Sequence, residues 1–281
     1  MKDEIDIAFC ASDNFEKVAA VAAMSVMENT KSPLCFHIFF TSSYTDDAIA
    51  MDFWVRMAES RGHRAQFIRC EAKTLMFGRL PNGWHWNRTH FLKLGIAEWA
   101  PDLNRVLYLD ADVIANGDVA ELWNMDLGGR PLGARYVKEE GGNPAHFNSG
   151  VMLMDCDAWR QRRVMDAVVD IARRNNPGDF KLYCADQTPL NQYFGNDYVD
   201  IGPAYNAMPL LEQISENAKI IHFCGDFDRT PWKERDSDAA QLWWEYCEKT
   251  PFKKFFDGTY QTWLKYRGQV SYNGLKLPEG L

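Results

Sequence analysis

Apolar residues fall along the chain in two alternating rhythms. IDIAFCAS (5–12), LCFHIFFTS (34–42), RAQFIRC (64–70) and RVLYLD (105–110) are short apolar runs of the kind that form buried strands. Between them, NFEKVAAVAAMSVMENT (14–30) and the segment from Asp46 to about Ser60 repeat apolar residues at helical spacing. Residues 88–99 do so again until Pro101 marks an end. Strands alternating with helices predict a mainly parallel sheet covered on both faces. After residue 130 the order changes: PLGARYV, HFNSGVMLMD and KIIHFCG read as strands, with one helix from about Asp157 to Arg174 between the second and third. The expectation is an α/β fold with a Rossmann-like mixed sheet flanked by helices. It occupies 1–235 as one domain, and a helical, aromatic and basic extension fills 236–281.

Composition narrows the class. The 281 residues are 46% hydrophobic with ten Trp, which suits a globular chain with aromatic-lined clefts. A net charge of −8 argues against nucleic acid as a partner. From Lys249 onward six Lys/Arg face two Asp/Glu, so this end is locally basic. Seven Cys, an odd number without a CxxC pair, read as buried reduced thiols. MKDEIDIAFC runs straight into a strand pattern, and no apolar stretch approaches the roughly 20 residues needed to span a bilayer. The expected location is the cytoplasm, peripherally on the inner face of a membrane.

In open α/β sheets, ligands bind at the carboxyl ends of the strands. Three runs end in reactive groups: Ser12-Asp13-Asn14, Asp110-Ala111-Asp112 and His222-Phe223-Cys224-Gly225. Spacing alone does not single out the central pair, because Asp-x-Asp also occurs at 155/157, 226/228 and 236/238. Context does. Asp236 and Asp238 open a helix, where acids suit the N-terminus. Asp157 reads as a helix N-cap, and Asp226/Asp228 lie in a loop. Asp110 and Asp112 end an apolar strand, where two carboxylates repel each other unless a cation lies between them. Residues two apart on an extended strand point the same way, so both reach one ion. Oxygen ligands suit Mg²⁺ or Mn²⁺, and an added imidazole, best supplied by His222, leans towards Mn²⁺. The chain lacks GxxxxGK[ST], GxGxxG and GxSxG. A haloacid-dehalogenase phosphatase would carry Asp-x-Asp on its first strand, followed by Thr or Val where Ile114 stands.

Five segments, in order, resemble glycosyltransferase family 8: ASDNF (11–15), LKLGIAEWAPDLNRVLYLDADVIANGDVAELW (92–123), HFNSGVMLMDCDAWR (146–160), DQTPLNQYF (186–194) and IIHFCG with PW (220–232). These are retaining, metal-dependent enzymes of the GT-A fold, including glycogenin and bacterial lipopolysaccharide α-galactosyl- and α-glucosyltransferases. The resemblance implies a UDP-sugar donor and a carbohydrate or glycolipid acceptor. It places Ala11, Asp13 and Asn14 at the donor, the last two on the uridine, Ala111 at the ribose, and Asp110, Asp112 and His222 on Mn²⁺. Asn148 and Ser149 match a segment near the donor sugar, and Asp186 and Gln187 match the pair lining the sugar pocket, nearest the reacting carbon.

Two positions depart from the family. Lys93 stands where Arg is usual, keeping the charge without the bidentate fork. After His222 the family's Gly-x-x-Lys-Pro-Trp becomes Gly225-DFDRTPWK, two residues longer, with Thr230 at the Lys position and Arg229 and Lys233 as the cations nearby. These departures leave open a second reading, a nucleotide-sugar-binding protein of the same fold with weak or no turnover. A sugar nucleotidyltransferase is disfavoured by the absence of a Gly-rich N-terminal loop. GRLPNGWHWNRTH (78–90) offers Trp84 and Trp86 as stacking faces for an acceptor sugar. The aromatic, basic tail suits contact with an anionic membrane. A chain ending at residue 248 is expected to lose co-sedimentation with anionic vesicles, and undiminished co-sedimentation would refute that contact.

Overall fold

A computed structural model describes residues 4–11, 15–41, 46–70, 77, 80, 88–138, 145–175, 186–224, 230–233 and 235–259. The chain divides into two compact units, Met1–Gly225 and Asp226–Leu281. Asp13, Asn14, Trp84, Trp86, Gly225, Arg229 and the tail beyond 259 lie outside the described residues.

The first unit is built on a seven-stranded sheet. Its strands are β1 (Ile5–Ala11), β2 (Leu34–Phe40), β3 (Arg64–Arg69), β4 (Arg105–Leu109), β6 (Leu132–Val137), β7 (His146–Asp155) and β8 (Val199–Asp200), in the order β3-β2-β1-β4-β7-β6-β8. The short β5 (Val113–Ala115) and β9 (Ile220–His222) form a separate antiparallel pair. The first four strands are parallel; β7 runs antiparallel to both β4 and β6. This is the expected change from a parallel half to a mixed half. Every residue of β2 is buried, which explains its unbroken apolar run.

Helices cover both faces. On one, α1 (Phe15–Asn29) buries an Ala/Val/Met surface, and Trp54 of α2 (Asp46–Glu59) meets the rings of Phe9 and Phe36, each at 6.0 Å. The Trp54 indole donates to Glu16 O at 3.0 Å, so its one polar atom is satisfied. On the other face Ala8, Tyr108 and Met152 join a core with residues of the 3-10 helix Arg88–Gly95, α3 (Ile96–Trp99), α5 (Cys156–Gln161), α6 (Val164–Arg174) and α7 (Gln187–Phe194). A short α4 (Ala120–Trp123) follows β5.

Several sequence expectations need correction. Residues 88–99 are mostly 3-10 helix, with one α-turn at the end. The helix expected over 157–174 is two helices, broken where Arg163 adopts a left-handed φ of 50°. The N-cap of α5 is Asp155, not Asp157: the last residue of β7 is still extended and accepts from Ala158 N at 2.8 Å. Asp157 instead pairs with Arg160 at 2.6 Å. KIIHFCG does not join the main sheet, because β9 pairs with β5, and α7 was not anticipated.

In the second unit, α8 (Asp238–Glu248) is capped by Ser237 and buries Trp243 and Trp244. These two rings pack with each other and with Phe256, and Trp232 packs on Trp243. Arg235 lies 3.5 Å over Trp244 and pairs with Asp257 at 2.9 Å. The six described cysteines are free thiols, and among the described residues no helix is long and apolar enough to cross a membrane.

Candidate active site

The site forms where β4 ends beside the start of β7. Leu109 pairs with Val151, and Asp110 N donates to Gly150 O at 2.7 Å, which sets Asp110 against Asn148, Ser149 and Gly150. The two carboxylates do not converge by lying on one strand. Asp110 follows β4, Ala111 and Asp112 form a turn, and β5 begins at Val113. Val113 pairs with His222, and Phe223 N donates to Asp112 O at 2.9 Å, so the small second sheet delivers the imidazole. His222 Nε2 lies 3.4 Å from Asp112 Oδ1 and 3.7 Å from Asp110 Oδ2.

These three side chains offer ligand atoms within 4.8 Å of one another. Two carboxylates and one imidazole fit a divalent ion such as Mg²⁺ or Mn²⁺, with positions left for phosphate or water oxygens. The imidazole is already oriented, since His222 Nδ1 meets Asn206 Oδ1 at 2.9 Å and leaves Nε2 facing the carboxylates. Among the described residues a second cluster, Asp6, Cys35 and His37, also brings its ligand atoms within 4.8 Å of one another. There, however, both ring nitrogens are engaged, by Asp6 at 2.7 Å and Gln66 at 2.5 Å. That cluster is a closed hydrogen-bonded row.

Lys93 links the two halves of the site. It is 1% exposed, and its Nζ reaches Asp110 Oδ1 at 3.1 Å, Asp186 Oδ2 at 2.9 Å and Ser149 O at 3.3 Å. Three acceptors match its three N–H donors. Burial pulls its pKa down, but Asp110 and Asp186 outweigh burial and hold the ammonium above the ordinary lysine value. Burial likewise pushes Asp110 up, and Lys93, His222 and the Tyr108 hydroxyl together bring it below the usual carboxylate range. For His222, Cys224 and Asp112 overcome the pull of burial and raise the imidazole well above its ordinary value. These neighbours favour a positive charge on His222 beside the two carboxylates, and a metal on Nε2 would displace a proton there.

The residues expected near the donor sugar are tied together from the start of α7. Ser149 Oγ donates to Asp186 Oδ2 at 2.8 Å, and Ser149 N donates to Gln187 Oε1 at 3.0 Å. Asn191, one turn along α7, exchanges two hydrogen bonds with the Phe147 backbone at 2.8 and 2.9 Å. This amide clamp fixes α7 against β7. Ala11 and Ala111 are buried, at the end of β1 and in the turn after β4. Lys233 belongs to the second unit and donates its N–H to Thr230 O at 2.9 Å. His90, which sequence context did not favour, lies within electrostatic reach of Asp186, Lys93, Asp110 and Asp112, and burial pulls its imidazole down.

Sequence reasoning missed Gly150, Asn191 and Asn206. Gly150 sits inside the NSG segment. A Cβ there would fall 2.1 Å from His222 Cε1 and 2.8 Å from Asp110 Oδ2.

A family model described as glycosyl transferase family 8 matches residues 6–236. Glycosyltransferase GlyF of Streptococcus pneumoniae serotype 4 is 29% identical over 184 residues, covering 61% of this chain and 44% of that protein. General stress protein A of Bacillus subtilis strain 168 is 24% identical over 264 residues, covering 82% and 88%. The chain therefore spans under half of the first relative and most of the second. The crystal structure of galactosyltransferase LgtC with donor and acceptor sugar analogs shares the fold at a TM-score of 0.74, with 24% identity over 88% of this chain and 96% of that one.

Replacing Gly150 by Ala is expected to lower unfolding free energy by about 1–3 kcal/mol in urea denaturation, because His222 must move or the strand must bend. Unchanged stability together with unchanged Mn²⁺ affinity would contradict the contact.

Proposed function

The chain belongs to glycosyl transferase family 8, and on that premise we propose that it transfers a hexose, galactose or glucose, from a UDP-sugar to a glycan or glycolipid hydroxyl with retention of configuration. The observation that carries this reading is the meeting of Asp110, Asp112 and His222 beside the Lys93–Asp186–Ser149 row. Asp110, Asp112 and His222 Nε2 are the residues that would hold a divalent ion, Mn²⁺ or Mg²⁺. When bound, the ion supplies Lewis-acid charge to the diphosphate leaving group.

The remaining roles fall to the chain's own groups. Tyr108 and Lys93 both engage Asp110 Oδ1, while Oδ2 faces His222. Ala111 leaves the backbone open to the ribose, and Ala11, Asp13 and Asn14 take the uridine. Asn148, Ser149, Asp186 and Gln187 line the sugar. In the transfer, the anomeric carbon's bond to the UDP oxygen breaks, a bond to the acceptor oxygen forms on the face that UDP leaves, and the acceptor hydroxyl's proton passes to the departing diphosphate oxygen. Asp186 stabilises the positive charge developing at that carbon or attacks it first; both routes give retention. Gly225 and Lys233 are assigned to the diphosphate by position in the family motif, and the basic extension to the membrane side of a glycolipid acceptor.

Thr230 at the family's Lys position favours one other reading, a nucleotide-sugar binder without turnover. The two separate on Asp110→Asn and Asp112→Asn. Loss of a second-sphere partner typically weakens a metal site 10–100-fold, so loss of a ligand should lower Mn²⁺-dependent UDP release by more than about 100-fold. Normal UDP release in either variant would refute the assignment. Donor binding without release in the unmodified chain would favour the binder.

A further inference from the structure

We infer that Asn206 is a positioning residue for the metal centre: a relay from the Gly150 amide fixes which His222 nitrogen is offered to the ion. The inference rests on the reading of Asp110, Asp112 and His222 as metal ligands. Its starting point is a backbone N–H, which can only donate. Gly150 N lies 2.9 Å from the Asn148 amide, so the atom it meets must be the carbonyl oxygen Oδ1. The same Oδ1 lies 2.9 Å from the Asn206 side chain, whose facing atom must then be the donor Nδ2. Asn206 therefore turns its Oδ1 towards His222, 2.9 Å from Nδ1, and an acceptor there requires Nδ1 to carry a proton. Nε2 is left as the nitrogen that gives up its proton to a cation. Each step follows from donor and acceptor types, without an assumed amide orientation.

Asn206 has no freedom to break the relay. It is 0% exposed. Arg135 donates to Asn206 O at 2.6 Å and makes a two-pronged pair with Glu212 at 2.6 and 2.8 Å. Glu212 in turn accepts from Met208 N at 3.1 Å. On its other side, Ala207 O accepts from His222 N at 2.7 Å, and Ala207 N donates to Ile220 O at 2.8 Å. Both backbone polar atoms of the next residue, Ala207, are thus tied to the strand that carries the imidazole. The relay also engages both lone pairs of Asn148 Oδ1, so any contact of Asn148 with a sugar must come from its amide hydrogens.

The test is direct Mn²⁺ binding, read from the free-ion electron paramagnetic resonance signal, with near-ultraviolet circular dichroism as the control for folding. Asn206→Leu removes the acceptor at nearly constant volume, and a 10–100-fold loss of Mn²⁺ affinity is expected. Asn206→Asp keeps the shape and an acceptor for Nδ1–H, and with its other oxygen protonated it still donates to Asn148 Oδ1, so it is expected to stay within about threefold of the unmodified chain. Leu binding as tightly as the unmodified chain, or Asp weakened by tenfold or more, would overturn the inference. If the Leu variant does not fold, the Asp variant decides alone by the same threshold. An unmodified chain that fails to bind Mn²⁺ overturns the metal-centre reading itself, a different outcome from either variant result.

Discussion

Repulsion between carboxylates is the constraint on which the site depends. Asp110 and Asp112 meet at His222, and Lys93 joins Asp110 to Asp186; Asp186 is buried and the other two are partly so. Like charges at such range disfavour ionisation unless positive charge is built in. Lys93 supplies one such charge permanently, with every N–H engaged and the Tyr108 ring 4.8 Å away. Removing one partner of a buried pair typically costs about 3–5 kcal/mol, because the other charge is left uncompensated. The second charge falls to His222, whose neighbours favour the protonated ring, or to a cation held in its place. The family's usual Arg has more donors, whereas this Lys is satisfied within the chain.

β7 connects this electrostatic arrangement to the fold. Its start carries Asn148, Ser149 and Gly150, and each serves a different neighbour: Asn206, Asp186 and Asp110. The register shift between Ala134 and Arg135 in the β6–β7 pairing sets Arg135 opposite Asn148, where it braces the 206–212 segment. Bulges of this kind re-aim side chains near functional sites. Gly150 has a further reason to lack a side chain, since the imidazole occupies that space.

Much of this was legible in the residues. Long apolar runs announced β1, β2 and β4 because strands buried on both faces need no polar alternation. Asp110 stood out because it ended such a run, and DQTPLNQYF carried Asp186 and Gln187 by resemblance. The illegible parts have physical reasons. β5 has three residues, too few for a periodic signal, so the turn through Ala111 and the pairing with β9 were invisible. Asn206 is an uncharged side chain in an irregular segment, and only its position in three dimensions gives it a role. The cap at Asp155 rather than Asp157 turned on how far β7 stays extended, which composition does not encode.

The central claim is a cation-dependent site for a UDP-sugar, and one measurement addresses it most directly: free UDP after incubation with a panel of UDP-sugars and Mn²⁺, with and without a chelator. The account predicts UDP release from a UDP-hexose that requires the metal and stops when the chelator is added. No release from any donor, or release indifferent to the chelator, would contradict it.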